Sequence, residues 1–169
     1  MRKDGRKAHG QWGVADIPGR WDHWPSGLVA CAPLEDSAEG RYVIAPGDVL
    51  LGQWRFANSK IELELHEGRI MEIHGGLDAA LLRDYLDSFD DPNAYRLSHA
   101  GWGTDHRADW QYIGMDSESF YGSVMVSLGR NLFNAPAPYC GLGGANDSHA
   151  HYDICCRHAS LWLDGELMV

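Results

Sequence analysis

His149, His151 and Asp153 alternate with Ala150 and Tyr152 in the run SHAHYDI, so an extended backbone sends all three side chains from one face. Imidazoles and a carboxylate on one face are metal-ligand chemistry. Alternate residues on a strand stand roughly 6.7 Å apart, a gap that two side chains leaning together can close onto one ion; residues four apart span roughly 13 Å. His151 and Asp153 therefore form the expected pair, and His149 with Asp153 does not. A third ligand must come from elsewhere. The best candidate is His99 in LSHAGWG, at the end of an expected strand and against glycines that allow close backbone approach. Two imidazoles and one carboxylate leave coordination positions open, as in non-haem Fe(II) oxygenases; zinc with a bound water uses the same ligands.

Such residues need strands to carry them and a layer to support those strands. Between Gly27 and Gly75, short apolar or alternating runs (LVACAP, RYVIA, DVLLGQWRF, KIELELH, RIMEIHG) are separated by Pro-Gly, Glu-Gly and Gly-Gly turns, the pattern of consecutive antiparallel strands. In KIELELH, Ile61, Leu63 and Leu65 face inward while Glu62 and Glu64 face solvent. One helix is expected over about 77–89: Leu77, Leu81, Leu82, Tyr85, Leu86 and Phe89 recur at helical spacing, Asp78 suits the N-terminal dipole, and Pro92 follows the end. YRLSHAGWG reads as a strand entering a glycine loop, RADW as a short helical turn, and AHYDICCRHASLWLDGELMV as two strands and a turn. SFYGSVMVSLGRN fits either strand or helix, and NAPAPYCGLGGANDS is a loop. The expected fold is α+β, a mainly antiparallel sheet with the one helix packed on it. Residues 1–20 lack periodicity and read as a loose leader, with 21–169 as a single metal-binding domain.

A chain of 169 residues suits one domain that buries roughly 70% of its extended surface. The net charge of −10, with MRKDGRK as its one basic run, argues against a nucleic-acid partner. No apolar stretch reaches the roughly 18 residues of a membrane span, and no apolar signal core follows the basic start, so the cytoplasm is the expected compartment. Cys31, Cys140, Cys155 and Cys156 lack CxxC spacing and read as reduced thiols.

The runs RWDHWPSGLVACAPLEDSAEG, PGD, DDP, LSHAGWG and GLGGANDSHAHYDICCRHASLWLDGE together resemble the carboxyl-terminal half of the 2,5-dihydroxypyridine 5,6-dioxygenases. That family is a branch of the aminopeptidase T-like metalloproteins, and the likeness runs from about residue 20 to the end. SHAGWG followed by HxD is its most specific part. The resemblance implies Fe(II) held by two histidines and an aspartate, which fall on His99, His151 and Asp153, and a small hydroxylated N-heteroaromatic substrate cleaved with O₂. The peptidase branch carries glutamate ligands at two positions where this chain has Leu28 and His99. Without those carboxylates a pair of divalent cations lacks the charge that holds it, so the resemblance implies a mononuclear site. The alternatives are an aminopeptidase-type metallohydrolase and a catalytically incomplete metal-binding fragment. The family's amino-terminal half is absent from this sequence, and a strand edge left open by that absence favours a homo-oligomer.

Within the resemblance, His23 in RWDHWP could act as base toward a substrate hydroxyl, or simply cap the surface. His149 and His158 could orient a ligand imidazole or serve as ordinary polar residues near a strand end, and His106 is similarly open. His9, His66 and His74 read as solvent-facing or turn residues without a role. Trp24, Trp102 and Trp110 could wall a flat ring, although tryptophan more often fills a core or an interface. Cys155 shares the strand face of Asp153 and reads as a small hydrophobe in preference to a ligand.

Overall fold

The computed structural model describes residues 1–16, 18, 22–131 and 143–169. Among these residues, three sheets and two α-helices make up the α+β fold. The main sheet has seven strands in the order β1 (His9–Gln11), β2 (Leu28–Cys31), β8 (Leu97–Gly103), β9 (Val124–Gly129), β10 (His151–Cys156), β4 (Val49–Leu50) and β5 (Arg55–Phe56). Every neighbouring pair is antiparallel. A second sheet holds β3 (Gly40–Ile44), β6 (Ile61–His66) and β7 (Arg69–Gly75), and β11 (Trp162–Leu163) pairs with β12 (Glu166–Leu167). The helices are α1 (Leu77–Asp87) and α2 (Met115–Ser119).

Alternation in KIELELH folds as its pattern dictates: Ile61 and Leu63 are buried, Leu65 packs half-buried against the core, and Glu64 is exposed. The turn that follows puts Glu67 at φ 47° and Gly68 at φ 70°, the two positive values of a tight hairpin. Gly68 is required there for a second reason. A Cβ would lie 1.7 Å from the Glu35 carbonyl oxygen.

The core lies between the sheets. Leu50, Leu128, Tyr152, Ile154 and Cys156 leave one face of the main sheet and meet Ile61, Leu63 and Ile73 of the second sheet and Ala79, Leu82 and Leu86 of α1. The opposite face carries a smaller cluster of Leu28, Ala30, Val49, Leu51, Trp110, Met125 and Cys155. Cys155 and Cys156 thus point to opposite faces, each buried. Every residue of β9 is buried, which explains why VMVSLG shows no alternation: a central strand covered on both faces reads as a continuous apolar run.

Three expectations change. The helix ends at Asp87, short of residue 89, and its buried stripe is narrower than the sequence pattern, with Leu77 73% and Leu81 38% exposed. At about 100° per residue, a stripe centred on Leu82 leaves Leu81 on the flank and Leu77 on the outer side, about 140° away, while Tyr85 and Phe89 still pack on the core. The stretch 1–20 is not a loose leader throughout: His9–Gln11 pairs with β2, and Arg6 binds Glu35 at 2.7 Å. Finally, α2 replaces the helical turn expected at RADW, its sequence MDSES being too short and polar to show a period. Cys140 and most of the expected Gly/Pro loop lie outside the described residues. No helix among the described residues is long and apolar enough to cross a membrane.

Candidate metal centre

Three adjacent strands bring the ligand candidates together. Asp153 stands opposite Ser127 and His151 opposite Gly129 across the β9–β10 pairing. On the other side of β9, Leu97 pairs with Leu128 but Ala100 pairs with Val126, so β8 carries one residue more than its partner. Ser98 and His99 occupy this bulge and together face Ser127. A bulge re-aims side chains, and this one turns His99 onto the face already holding His151 and Asp153.

One ligand atom from each of His99, His151 and Asp153 lies within 4.8 Å of the other two. His99 Nε2 is 3.7 Å from Asp153 Oδ1, and His151 Nε2 is 3.3 Å from Asp153 Oδ2. The two rings stack with centroids 5.5 Å apart. Ligands each about 2.1 Å from one ion lie roughly 3.0–3.4 Å from one another, so the donor set closes on a cation with shifts of about an ångström.

Both imidazoles are tethered through Nδ1 to a single backbone carbonyl. His151 Nδ1 donates to the Arg130 oxygen at 2.8 Å. Ser98 Oγ donates to the same oxygen at 2.8 Å and accepts from His99 Nδ1 at 3.1 Å. Each tether directs Nε2 inward with its lone pair, the tautomer that ligation requires. Ser127 Oγ lies 2.8 Å from His99 Nε2 and also donates to Asp153 Oδ1. One proton thus serves two acceptors, a competition that a cation bound by both would remove. The donor chemistry fits a divalent metal.

Electrostatics fit it too. Burial holds the His99 pKa down at about 4, only partly offset by the Asp153 charge, so the ring is neutral at working pH. Burial alone would raise Asp153; the hydrogen bond and charge of His151, the charge of His99 and the Ser127 hydroxyl overcome it and hold the carboxyl at about 2. His151 loses some basicity to burial but gains more from Asp153 and the Arg130 carbonyl, and ends above the ordinary value. Glu118, on α2, is pushed well above the usual glutamate range by burial, with the Asp153 charge adding to it.

The other candidates stand outside the three-ligand cluster. His23 sits near β1, with Nδ1 2.6 Å from the Pro25 oxygen and Nε2 2.6 Å from Gln11 Oε1. His149 and His158 are exposed, and His106 stacks on Tyr121 at 3.8 Å. His66 and His74 are solvent-facing beside Glu39 and Glu64. His9 is not: it is buried opposite Ala30, and its charge is among those that depress His99. An edge strand packed against its neighbour buries what a free leader would expose. Trp110 is core, its Nε1 donating to the Gly47 oxygen at 3.0 Å. Trp24 is 72% exposed beneath Arg107. Trp102 lines a cavity of about 270 Å³ with Cys31, Pro33 and Trp162.

Sequence reading missed Ser98, Ser127, the Arg130 carbonyl and Glu118. Only Ser98 carried a signal, as the residue beside His99. Replacing it with Ala removes the His99 tether, and the expected result is metal binding about tenfold weaker with stoichiometry unchanged, measured by titration against a competing chelator.

The whole chain, residues 1–169, matches the family model described as 2,5-dihydroxypyridine 5,6-dioxygenase. A protein of that description from Pseudomonas putida KT2440 is 40% identical over 168 residues, covering 94% of this chain and 46% of the relative. The solved structure of 2,5-dihydroxypyridine dioxygenase from the same strain superposes with a TM-score of 0.85 at 40% identity, over 96% of this chain and 47% of that one. AmpT from Thermus thermophilus superposes with a TM-score of 0.60 at 18% identity, over 88% of this chain and 38% of the other, a likeness of fold alone. The chain spans about half the length of the dioxygenases it matches. A family model matched across all 169 residues decides the relationship: the chain belongs to the 2,5-dihydroxypyridine 5,6-dioxygenase family.

Proposed function

We propose that this chain is a non-haem Fe(II) dioxygenase module that cleaves a small hydroxylated N-heteroaromatic ring, such as 2,5-dihydroxypyridine, with O₂. The convergence of two tethered imidazoles and one ionised carboxylate on a single sheet face carries the reading. His99, His151 and Asp153 would hold the metal. Bound there, Fe(II) supplies a place where ring and O₂ meet and charge is accepted. The protein's part is positional and protolytic. The Arg130 carbonyl and Ser98 fix both imidazoles, and Ser127 restrains the carboxylate. His23 is proposed as the base for a substrate hydroxyl: Nδ1 donates to the Pro25 oxygen, and the Nε2 lone pair becomes available when the Gln11 side chain, whose oxygen lies 2.6 Å away, turns its NH₂ toward the ring or moves aside.

A metallohydrolase of aminopeptidase type is the weaker reading. Leu28, where that branch carries a carboxylate, is 2% exposed within an apolar cluster and offers no ligand. Cys31, Cys155 and Cys156 are free thiols, and we place the protein as a homo-oligomer in a reducing compartment, the cytoplasm. The test is anaerobic Fe(II) loading followed by O₂ uptake with 2,5-dihydroxypyridine. About one iron per chain with uptake supports the proposal. Iron binding without uptake leaves only a metal-binding fragment, and two zinc or cobalt ions with peptide hydrolysis overturns it. Replacing His23 with Ala should slow turnover about 100-fold while sparing iron content; equal loss of both removes the base assignment.

A further inference from the structure

A buried carboxyl is costly unless something answers it. Asp78 is answered by Arg55 and the backbone of Asn58 and Ser59, and Asp153 by Ser127 and His151. Glu118 is 6% exposed, and among the described residues its carboxyl takes no hydrogen bond and no ion pair. Its backbone is well used, the carbonyl accepting from Ser123 Oγ at 3.2 Å. No described protein group answers the carboxyl, and its oxygens keep a little solvent contact through which a ligand can reach them.

Position ties it to the metal centre. Glu118 lies within electrostatic reach of Asp153 and Cys155, which leave the same face of β10. The helix that carries it is pressed onto β8 at Gly103, where a Cβ would come within 2.7 Å of the Glu118 carbonyl oxygen and 2.1 Å of that of Phe120.

The substrate named for this family is a pyridine hydroxylated at ring position 2. Such a ring has a lactam tautomer, in which the nitrogen carries a proton and the neighbouring carbonyl accepts one. We propose that Glu118 accepts the ring N–H of this lactam edge and so orients the substrate at the metal centre. The assignment rests on the dioxygenase reading for its substrate class. A carboxyl accepts that bond whether ionised or neutral, so nothing depends on its charge. Pyridine N-oxide, an isomer of equal size, carries neither an N–H nor an O–H donor, and its entry would leave the Glu118 carboxyl covered and unanswered. Discrimination then comes from the cost of an unmade hydrogen bond.

The test compares binding of 2-hydroxypyridine, which has the lactam edge but lacks the 5-hydroxyl, with binding of its donor-free isomer pyridine N-oxide, by ligand-observed NMR with and without Zn(II). The unsubstituted chain should prefer the lactam by about tenfold or more, the worth of one hydrogen bond to a carboxyl. Glu118→Ala should bind the two alike. Glu118→Gln, whose amide oxygen still accepts an N–H, should keep most of the preference, and its melting temperature and Zn(II) stoichiometry show whether the fold is intact. Absence of preference in the unsubstituted chain, its survival in Glu118→Ala, or its complete loss in a folded Glu118→Gln overturns the assignment. O₂ uptake without lactam preference removes Glu118 and leaves the dioxygenase. Preference without uptake does the reverse.

Discussion

Replacing Asp153 with Asn is expected to weaken divalent-cation binding by more than about 100-fold, beyond the range seen when only an outer partner of a ligand is lost. The amide keeps the carboxylate's volume and can still accept from Ser127, so the fold should persist. What it removes is the anionic member of the set, and two neutral imidazoles hold a divalent ion weakly without it. Metal content after dialysis is the measurement, with circular dichroism as the check on folding. Binding at the unsubstituted level would sink the ligand assignment. The pH dependence follows from His151, whose pKa lies above the ordinary value in the metal-free chain. A proton on its Nε2 competes with the cation, so affinity should fall as pH drops through that raised value. In Asp153→Asn the support for the imidazolium is gone, and this competition should move to lower pH.

Part of this site was legible in the sequence because strand geometry is local. Alternation put His149, His151 and Asp153 on one face, and the roughly 13 Å between residues four apart set His149 aside; the structure shows it exposed with its backbone N–H on Asp91. The placing of His99 depends on a one-residue bulge in β8, and no pattern in LSHAGWG announces which residue is extra. Ser127 lies deep in a strand buried on both faces, where a serine looks like any small core residue until its neighbours across two pairings are known. The Arg130 carbonyl has no side-chain signature at all. Glu118 was hidden differently: MDSES looks like a solvated acidic run, and only the close approach of α2 to Gly103 buries it.

The fold shows the same division. KIELELH and RIMEIHG were readable because one face is wet, whereas VMVSLG was ambiguous because neither is. His9 was misread because an edge strand of three residues is too short for a period, and its burial depends on pairing with β2.

The second large effect is expected at Asp78, away from the ligands but beneath the frame that holds them. Its carboxylate pairs with Arg55 at 2.6 Å and accepts from Asn58 N at 2.7 Å, Ser59 N at 2.6 Å and Ser59 Oγ at 3.0 Å. These bonds anchor the first turn of α1, and α1 in turn places Tyr85 edge-on against Tyr152 at 5.1 Å. Tyr152 leaves the core face of β10 between His151 and Asp153, so the helix braces the strand from behind. Asp78→Asn keeps the shape but loses the charge, and it should lower stability to urea by about 3 kcal/mol. The pH dependence has a definite sign. Burial alone would raise the Asp78 pKa, but Arg55, Ser59 and Asn58 overcome it and hold the carboxyl below 3.8. A carboxyl depressed in the folded state stabilises fully above its unfolded value and loses that contribution as pH falls through its folded one. The gap between the unsubstituted chain and Asp78→Asn should therefore be widest near neutrality and narrow below about pH 4. A gap constant from pH 7 to pH 3 would mean that the charge contributes nothing and the loss is one of packing. Metal affinity at low temperature, where the variant remains folded, should stay unchanged, because the substitution weakens the brace without touching a ligand.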